Sequence, residues 1–235
     1  MSDKRAHHTN VDIVEKARGF WEDYSKPVSY IGSAIIVLLA GWLIYKYMFK
    51  VPKDQKADDI VFVTQKYFTQ FTNSTDSSKA LLAAKCLNGD GVNPGALKII
   101  NNYPGSAAAN LCEYYAGACY LHLGQFDKAI KFLKNFDAGG ATQIESRAYG
   151  MIADASAELN KNDEAFSFYK KAAEVNTKDE FTSSEFLFRA ALFAQATGKT
   201  KEAVDLFKKL KTDYPLSEKA TDADRYLARL GEFSE

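Results

Sequence analysis

Three segments of this chain repeat one another in phase, and that repetition constrains the fold more than any other feature. They cover residues 114–130, 149–165 and 187–203. Their anchoring alanines, Ala129, Ala165 and Ala203, lie 36 and 38 residues apart. Each follows a turn residue by five positions: Gly124, Asn160 and Gly198. Glycine or asparagine ends a helix because it tolerates the left-handed backbone just past the last turn. A second helix starting within a few residues must then pack antiparallel to the first. Small side chains at Gly117, Ala153 and Ala191 predict close helix approach, with Tyr169 and Phe207 filling the space between repeats.

This spacing resembles the tetratricopeptide repeat, a helix pair of about 34 residues. Gly117, Tyr120, Gly124, Ala129 and Leu133 fit its small and large positions, as do Ala191, Gly198, Ala203, Phe207 and Pro215. The middle copy departs from the pattern, with Asn160 for the glycine and Ser156 for the usual aromatic. Upstream, the run Asn101–Pro104 echoes Thr212–Pro215, the two prolines standing 111 residues apart, or three steps of 37. Residues 57–104 therefore read as a degenerate leading repeat. Its first helix carries Ile60, Val63, Tyr67 and Phe71 on one face, and its second, about 78–87, runs into the loop 88–95. Residues 105–216 hold three repeats, and 217–235 a charged terminal helix and tail. Repeat arrays need such a cap for solubility.

Ahead of the array, residues 28–45 contain no charged side chain, and Tyr47, Met48 and Phe49 extend the apolar run past Lys46. A membrane span needs about 20 predominantly apolar residues, so 28–49 is read as one transmembrane helix, with 50–56 as a linker. Aromatic residues at its ends, Tyr30, Trp42, Tyr45 and Tyr47, suit the membrane interfaces. The flank before it is long and mixed in charge, and no small-x-small cleavage site follows, which favours a retained anchor over a cleaved signal. Five basic residues precede the uncharged run 28–45 and four, Lys46, Lys50, Lys53 and Lys56, flank its other end, so the positive-inside rule leaves orientation open. Within the flank, 1–27, Val14, Ala17, Trp21 and Tyr24 fall on one helical face, with Thr9 or Asn10 as a cap, predicting a short amphipathic helix.

Chemistry is sparse. The 30 basic and 30 acidic residues balance, and residues 57–235 carry 21 basic against 24 acidic, without the basic stripe that nucleic acid requires. Cys86, Cys112 and Cys119 are an odd set. The seven-residue step from Cys112 to Cys119 spans about 10.5 Å of helix, beyond a disulfide's reach, and buried thiols are expected. Cys112, Cys119 and His122 fall short of the three or four converging ligands of a metal site. The loop 88–95 lacks the spaced carboxylates of a calcium loop and the Gly-Lys-Ser/Thr of a phosphate loop. No nucleophile–base arrangement is legible, so no enzyme, cofactor or metal is expected.

What remains is a binding surface. Helical arrays present an extended inner face, on which the first helices of each pair would place Leu111, Tyr114, Ala118, Leu121 and His122, then Arg147, Asp154 and Glu158, then Glu185, Phe188, Leu192 and Gln195. In chaperone-cofactor relatives of the repeat family a Lys/Asn clamp holds a C-terminal carboxylate. Tyr114 and Ala118 stand at those positions, so the clamp is missing and an aromatic-anchored apolar segment fits better. Packing between repeats is the competing role for Tyr114 and Phe188.

The layout of stub, anchor and repeat domain resembles the ancillary subunit family of the bacterial Sec translocon (YfgM-like), over residues of about 11–230. The runs 87–91, 103–106 and 115–124 look like its Bacteroidetes-type version. The leading repeat with its glycine loop departs from that family. The resemblance implies an inner-membrane protein with a cytoplasmic N-terminus and a periplasmic repeat domain. Its implied partners are SecYEG, periplasmic chaperones and exported chains. The alternative is an envelope scaffold that tethers cell-division or outer-membrane assembly proteins without binding clients.

Overall fold

The structure, a computed structural model, describes residues 3–232 and divides into two compact units, Met1–Lys53 and Asp54–Glu235. The fold is all-α, with no strand among the described residues.

In the first unit, α1 (Asp3–Tyr45) passes through Pro27 and continues into a π-helical turn, Lys46–Lys50. The expected boundary at Pro27 is thus chemical and not conformational. The expected cap at Thr9 or Asn10 is corrected too, because the helix already begins at Asp3. Of the proposed amphipathic face, Trp21 and Tyr24 are exposed, while the side chains of Val14 and Ala17 lie outside the described residues. The N-terminal helical segment is long and apolar enough to cross a membrane, and none of its apolar window is buried against protein. Ile36 and Leu38 expose 67% and 73% of their surface. In water that much bare apolar surface is costly, and a lipid environment removes the cost. Lys46 lies 5.0 Å over the Trp42 ring, a cation–aromatic pairing suited to an interface.

The second unit is built, among the described residues, from ten helices: α2 (Val51–Asn73), α3 (Lys79–Asn88), α4 (Ala96–Asn102), α5 (Ala107–His122), α6 (Phe126–Asn135), α7 (Thr142–Glu158), α8 (Asn162–Glu174), α9 (Glu180–Ala196), α10 (Thr200–Asp213) and α11 (Glu218–Arg229). Residues 51–56, expected as linker, are the first turns of α2, where Pro52 needs no N–H partner.

Helices α5/α6, α7/α8 and α9/α10 are the three repeat pairs, each also packed on the next. The turn chemistry is the same in all three. Gly124, Asn160 and Gly198 have φ of 69°, 57° and 77°. Just beyond them Gln125, Lys161 and Lys199 donate backbone N–H groups to the carbonyls of Tyr120, Ser156 and Ala194 at 2.8–2.9 Å. This is the Schellman ending, which satisfies carbonyls the helix leaves orphaned. Close approach follows where the small residues stand. A Cβ on Gly117 would sit 2.4 Å from Leu133 Cγ, and one on Gly150 2.2 Å from Phe186 Cε1. Ala153 and Ala191 are fully buried, and Phe207 and Tyr169 lie in the core.

Adjacent repeats are also laced at their outer edge. Lys161 pairs with Asp127 at 3.2 Å, and Lys199 with Asp163 at 2.6 Å. Each lysine immediately follows its left-handed turn residue and reaches an aspartate one repeat back. Lys201 stands where the next aspartate of that series would be.

The leading repeat keeps the plan but breaks its second helix in two. Helix α2 supplies the first member, turned so that Ala57, Val61, Thr64 and Phe71 are buried, with Ile60, Val63 and Tyr67 half-buried. Helices α3 and α4 together form the second and pack against α5. The loop between them is closed by backbone contact. A Cβ on Gly89 would lie 2.1 Å from the Asn93 carbonyl oxygen, and one on Gly95 2.3 Å from the Gly89 nitrogen. Asp90 ties the loop down, accepting from the N–H groups of Asn93 and Val92 at 2.7 and 3.0 Å and from Tyr67 Oη at 2.9 Å. Cys86, Cys112 and Cys119 are all free and buried in this part of the core.

Candidate protein-binding groove

Helix α5 begins at Ser106, whose hydroxyl caps the Ala109 N–H at 3.1 Å, and it buries Cys112, Tyr115, Ala116 and Cys119 on one side. That phase leaves Tyr114, Ala118, Leu121 and His122 along another side, facing α2. Phe68 of α2 stacks on Tyr115 with ring centroids 4.1 Å apart and meets Tyr114 edge-on at 6.0 Å. Phe71 meets His122 edge-on at 5.3 Å. Between these rings opens a cleft of about 370 Å³. Tyr114, Ala118, Leu121 and His122 line it together with Phe68, Phe71, Thr72 and Lys79 from the leading repeat and Met151 from α7.

The floor is aromatic and aliphatic, and the charged side chain in its lining is Lys79, whose Nζ lies 5.4 Å over the Phe71 ring. Arg147, expected in the groove, is exposed and does not line the cleft, though its charge reaches Tyr114 and favours the phenolate. Burial outweighs that pull and raises the Tyr114 phenol; burial likewise pushes Tyr115 up to about 12. Both rings therefore stay neutral at physiological pH. Among the described residues no carboxylate lines the cleft. Its apolar lining comes mainly from Phe68, Phe71, Leu121 and Met151.

The other expected groove residues fall elsewhere. Leu111 is half-buried against the core beside Tyr114 and does not line the cleft. Asp154 is held between repeats, accepting from Tyr169 Oη at 2.5 Å and pairing with Arg189, whose guanidinium lies 5.1 Å over the Tyr169 ring. Glu158 is exposed at the end of α7. Phe188 leaves the groove for the competing packing role: it is 8% exposed, packed on Phe207 and Tyr226 at 5.8 and 5.5 Å, and so belongs to the seal between α9, α10 and α11. Leu192 is half-buried against the same cluster, and Gln195 half-buried near the end of α9. Glu185 pairs with Lys219 of α11 at 3.1 Å.

Sequence reasoning missed Phe68, Lys79 and Met151. Phe68 stands three residues before Phe71, already placed on the inward face of α2, and that helical spacing is the available signal. Cys112 and Cys119 do not converge with His122, since both are buried while His122 is exposed against Phe71.

Residues 112–136 and 185–217 match one tetratricopeptide-repeat family, and 146–179 match a second of the same description. The three matches fall on α5/α6, α7/α8 and α9/α10, while the leading repeat that completes the cleft lies outside them. No curated protein matches the chain.

Proposed function

We propose that this chain is a membrane-anchored client-binding module. Its tetratricopeptide repeats, with the leading helix α2, receive apolar stretches of unfolded or emerging polypeptide. The observation that supports this reading most directly is the cleft between α2, α5 and α7, walled by Phe68, Phe71, Leu121 and Met151. In the wider role we infer, the domain stands beside a SecYEG-type translocon on the periplasmic side of a bacterial inner membrane. There it passes exported chains to periplasmic chaperones. That role rests on the resemblance in layout, a span followed by a compact helical array, and on the absence of the carboxylate clamp at Tyr114 and Ala118.

The test is binding of a permanently unfolded polypeptide to the full-length protein in detergent, read by fluorescence anisotropy. Leu121→Ser and Met151→Ser are expected to weaken binding about tenfold together, roughly 1.4 kcal/mol, with the helical circular-dichroism signal unchanged. Crosslinking in native membranes should then place translocon subunits next to the domain. Absence of any binding to the unfolded chain, with division or outer-membrane assembly proteins crosslinked instead, establishes the scaffold alternative.

A further inference from the structure

A second cleft, remote in sequence from the groove, opens where α9 and α11 begin. Its volume is about 320 Å³, and Glu180, Phe181, Ser184, Glu185, Glu218 and Lys219 line it. Phe181 exposes 81% of its surface although its neighbours Thr182, Ser183 and Ser184 are buried. Leu216, just before the cap of α11, exposes 92%.

The repeat does not dictate these side chains. The helices α5, α7, α9 and α11 have N-caps at Ser106, Ala141, Asp179 and Ser217. One residue before the cap the series reads Gly105, Gly140, Lys178, Leu216; two residues after it, Ala108, Gln143, Phe181, Lys219. Of these residues only Phe181 and Leu216 are large and apolar, and both face solvent. No helix packing in the array requires either one.

The cleft's charge is acidic. Lys219 is its cation and is held by Glu185 at 3.1 Å. Glu180 and Glu218 are exposed, and among the described residues neither makes an ion pair. The caps take one amide at each helix start, Asp179 accepting from Thr182 N and Ser217 from Ala220 N, and the three carboxylates of the lining, Glu180, Glu185 and Glu218, outnumber its single lysine. An acidic partner, or a negatively charged lipid surface, is therefore repelled.

We infer that this cleft is a second docking site, separate from the client groove, for a partner-protein segment in which a large apolar side chain stands beside lysine or arginine. The apolar side chain enters the cleft against Phe181, and the cation meets Glu180 and Glu218.

The test uses the full-length protein in detergent and a short fluorescent peptide in a glycine–serine frame, with a leucine–tryptophan pair followed by two arginines. A matched peptide carries glutamates in place of the arginines. The arginine peptide is expected to bind about tenfold or more tighter than the glutamate peptide, a difference that shrinks with salt. Phe181→Ser, and separately Glu180→Gln with Glu218→Gln, should each remove most of that binding, while Met151→Ser in the client groove leaves it unchanged. Both altered sites are on the surface, so folding is not at stake. Equal binding of the two peptides, or insensitivity to Phe181→Ser, overturns the inference. Loss of binding in Met151→Ser assigns the peptide to the groove and also overturns it. Concentration-dependent self-association of the protein that Phe181→Ser abolishes gives the cleft to a second copy of this chain and overturns it as well.

Discussion

Gly150 lies in the middle of α7, where replacing glycine by alanine ordinarily stabilises a helix by about 0.8–1 kcal/mol. Here the structure predicts the opposite sign. The added Cβ would stand 2.2 Å from Cε1 and 2.7 Å from Cζ of Phe186. That ring is 6% exposed, and the Arg189 guanidinium lies 5.5 Å over it. Its escape routes are closed by packed neighbours, so α7 and α9 must separate or the ring must leave its rotamer. Overpacking of this kind costs about 1–3 kcal/mol. Subtracting the helix gain leaves Gly150→Ala destabilised by about 1 kcal/mol, or a fall in melting temperature of about 2–4 °C for a unit of this size. The assay is thermal unfolding of the full-length protein followed by circular dichroism, run as a double-mutant cycle with Phe186→Leu. In the leucine background the clash is gone, and Gly150→Ala should become neutral or stabilising. A higher melting temperature for Gly150→Ala alone, or the same shift in both backgrounds, would refute close packing at this junction.

Two further outcomes are expected. Asp154→Ala leaves Arg189 and Tyr169 without their shared acceptor; with both ion-pair partners about one-third exposed, the loss should be about 1–2 kcal/mol in chemical unfolding after allowing for solvent screening. The Asp90 carboxyl is held well below the usual carboxylate range, first by the Asn93 backbone N–H, then by the Asn93 side chain and Tyr67. A depressed folded pKa means the contribution is complete above the unfolded value of about 3.9, declines progressively below it, and is fully lost only as pH falls through the lower folded value. The wild-type loop should therefore lose hydrogen-exchange protection gradually as pH falls below about 4, whereas Asp90→Asn should lack that dependence throughout the window.

How much of this was legible in the sequence follows from which contacts are local. The repeat pairs were readable because their endings use one residue type for one backbone reason, as at Gly124 and Gly198. Asn160 was readable for the same reason, as the residue after glycine that best tolerates positive φ. Ser156 looked like a weak position because it lacks an aromatic ring. Its role in the Schellman ending is carried by its carbonyl, which any residue supplies. The site was less legible. Tyr114, Leu121 and His122 came together as a helical face requires, but their partners Phe68 and Lys79 sit in a leading repeat with a degenerate pattern. Phe188 and Asp154 have the right spacing for the inner face, and what fixes their actual roles is the angle at which α11 and α9 pack. No periodicity within one helix encodes that angle.

The edge lacing between repeats bears on how an array of this kind can grow. Duplication of a helix pair is the simplest genetic route to a longer solenoid, and a new copy must find on the old last pair what every earlier copy found on its predecessor. A duplicate of the third pair would bring a lysine in the place of Lys199 toward position 201, and there it would meet Lys201 where the first two junctions offer Asp127 and Asp163. Like charges would face each other at the one edge where the existing copies attract. An exposed pair of this kind is worth only about 0–1 kcal/mol, so Lys201 discourages extension without forbidding it, and lengthening the array by design would include Lys201→Asp beside removal of α11 from the last pair.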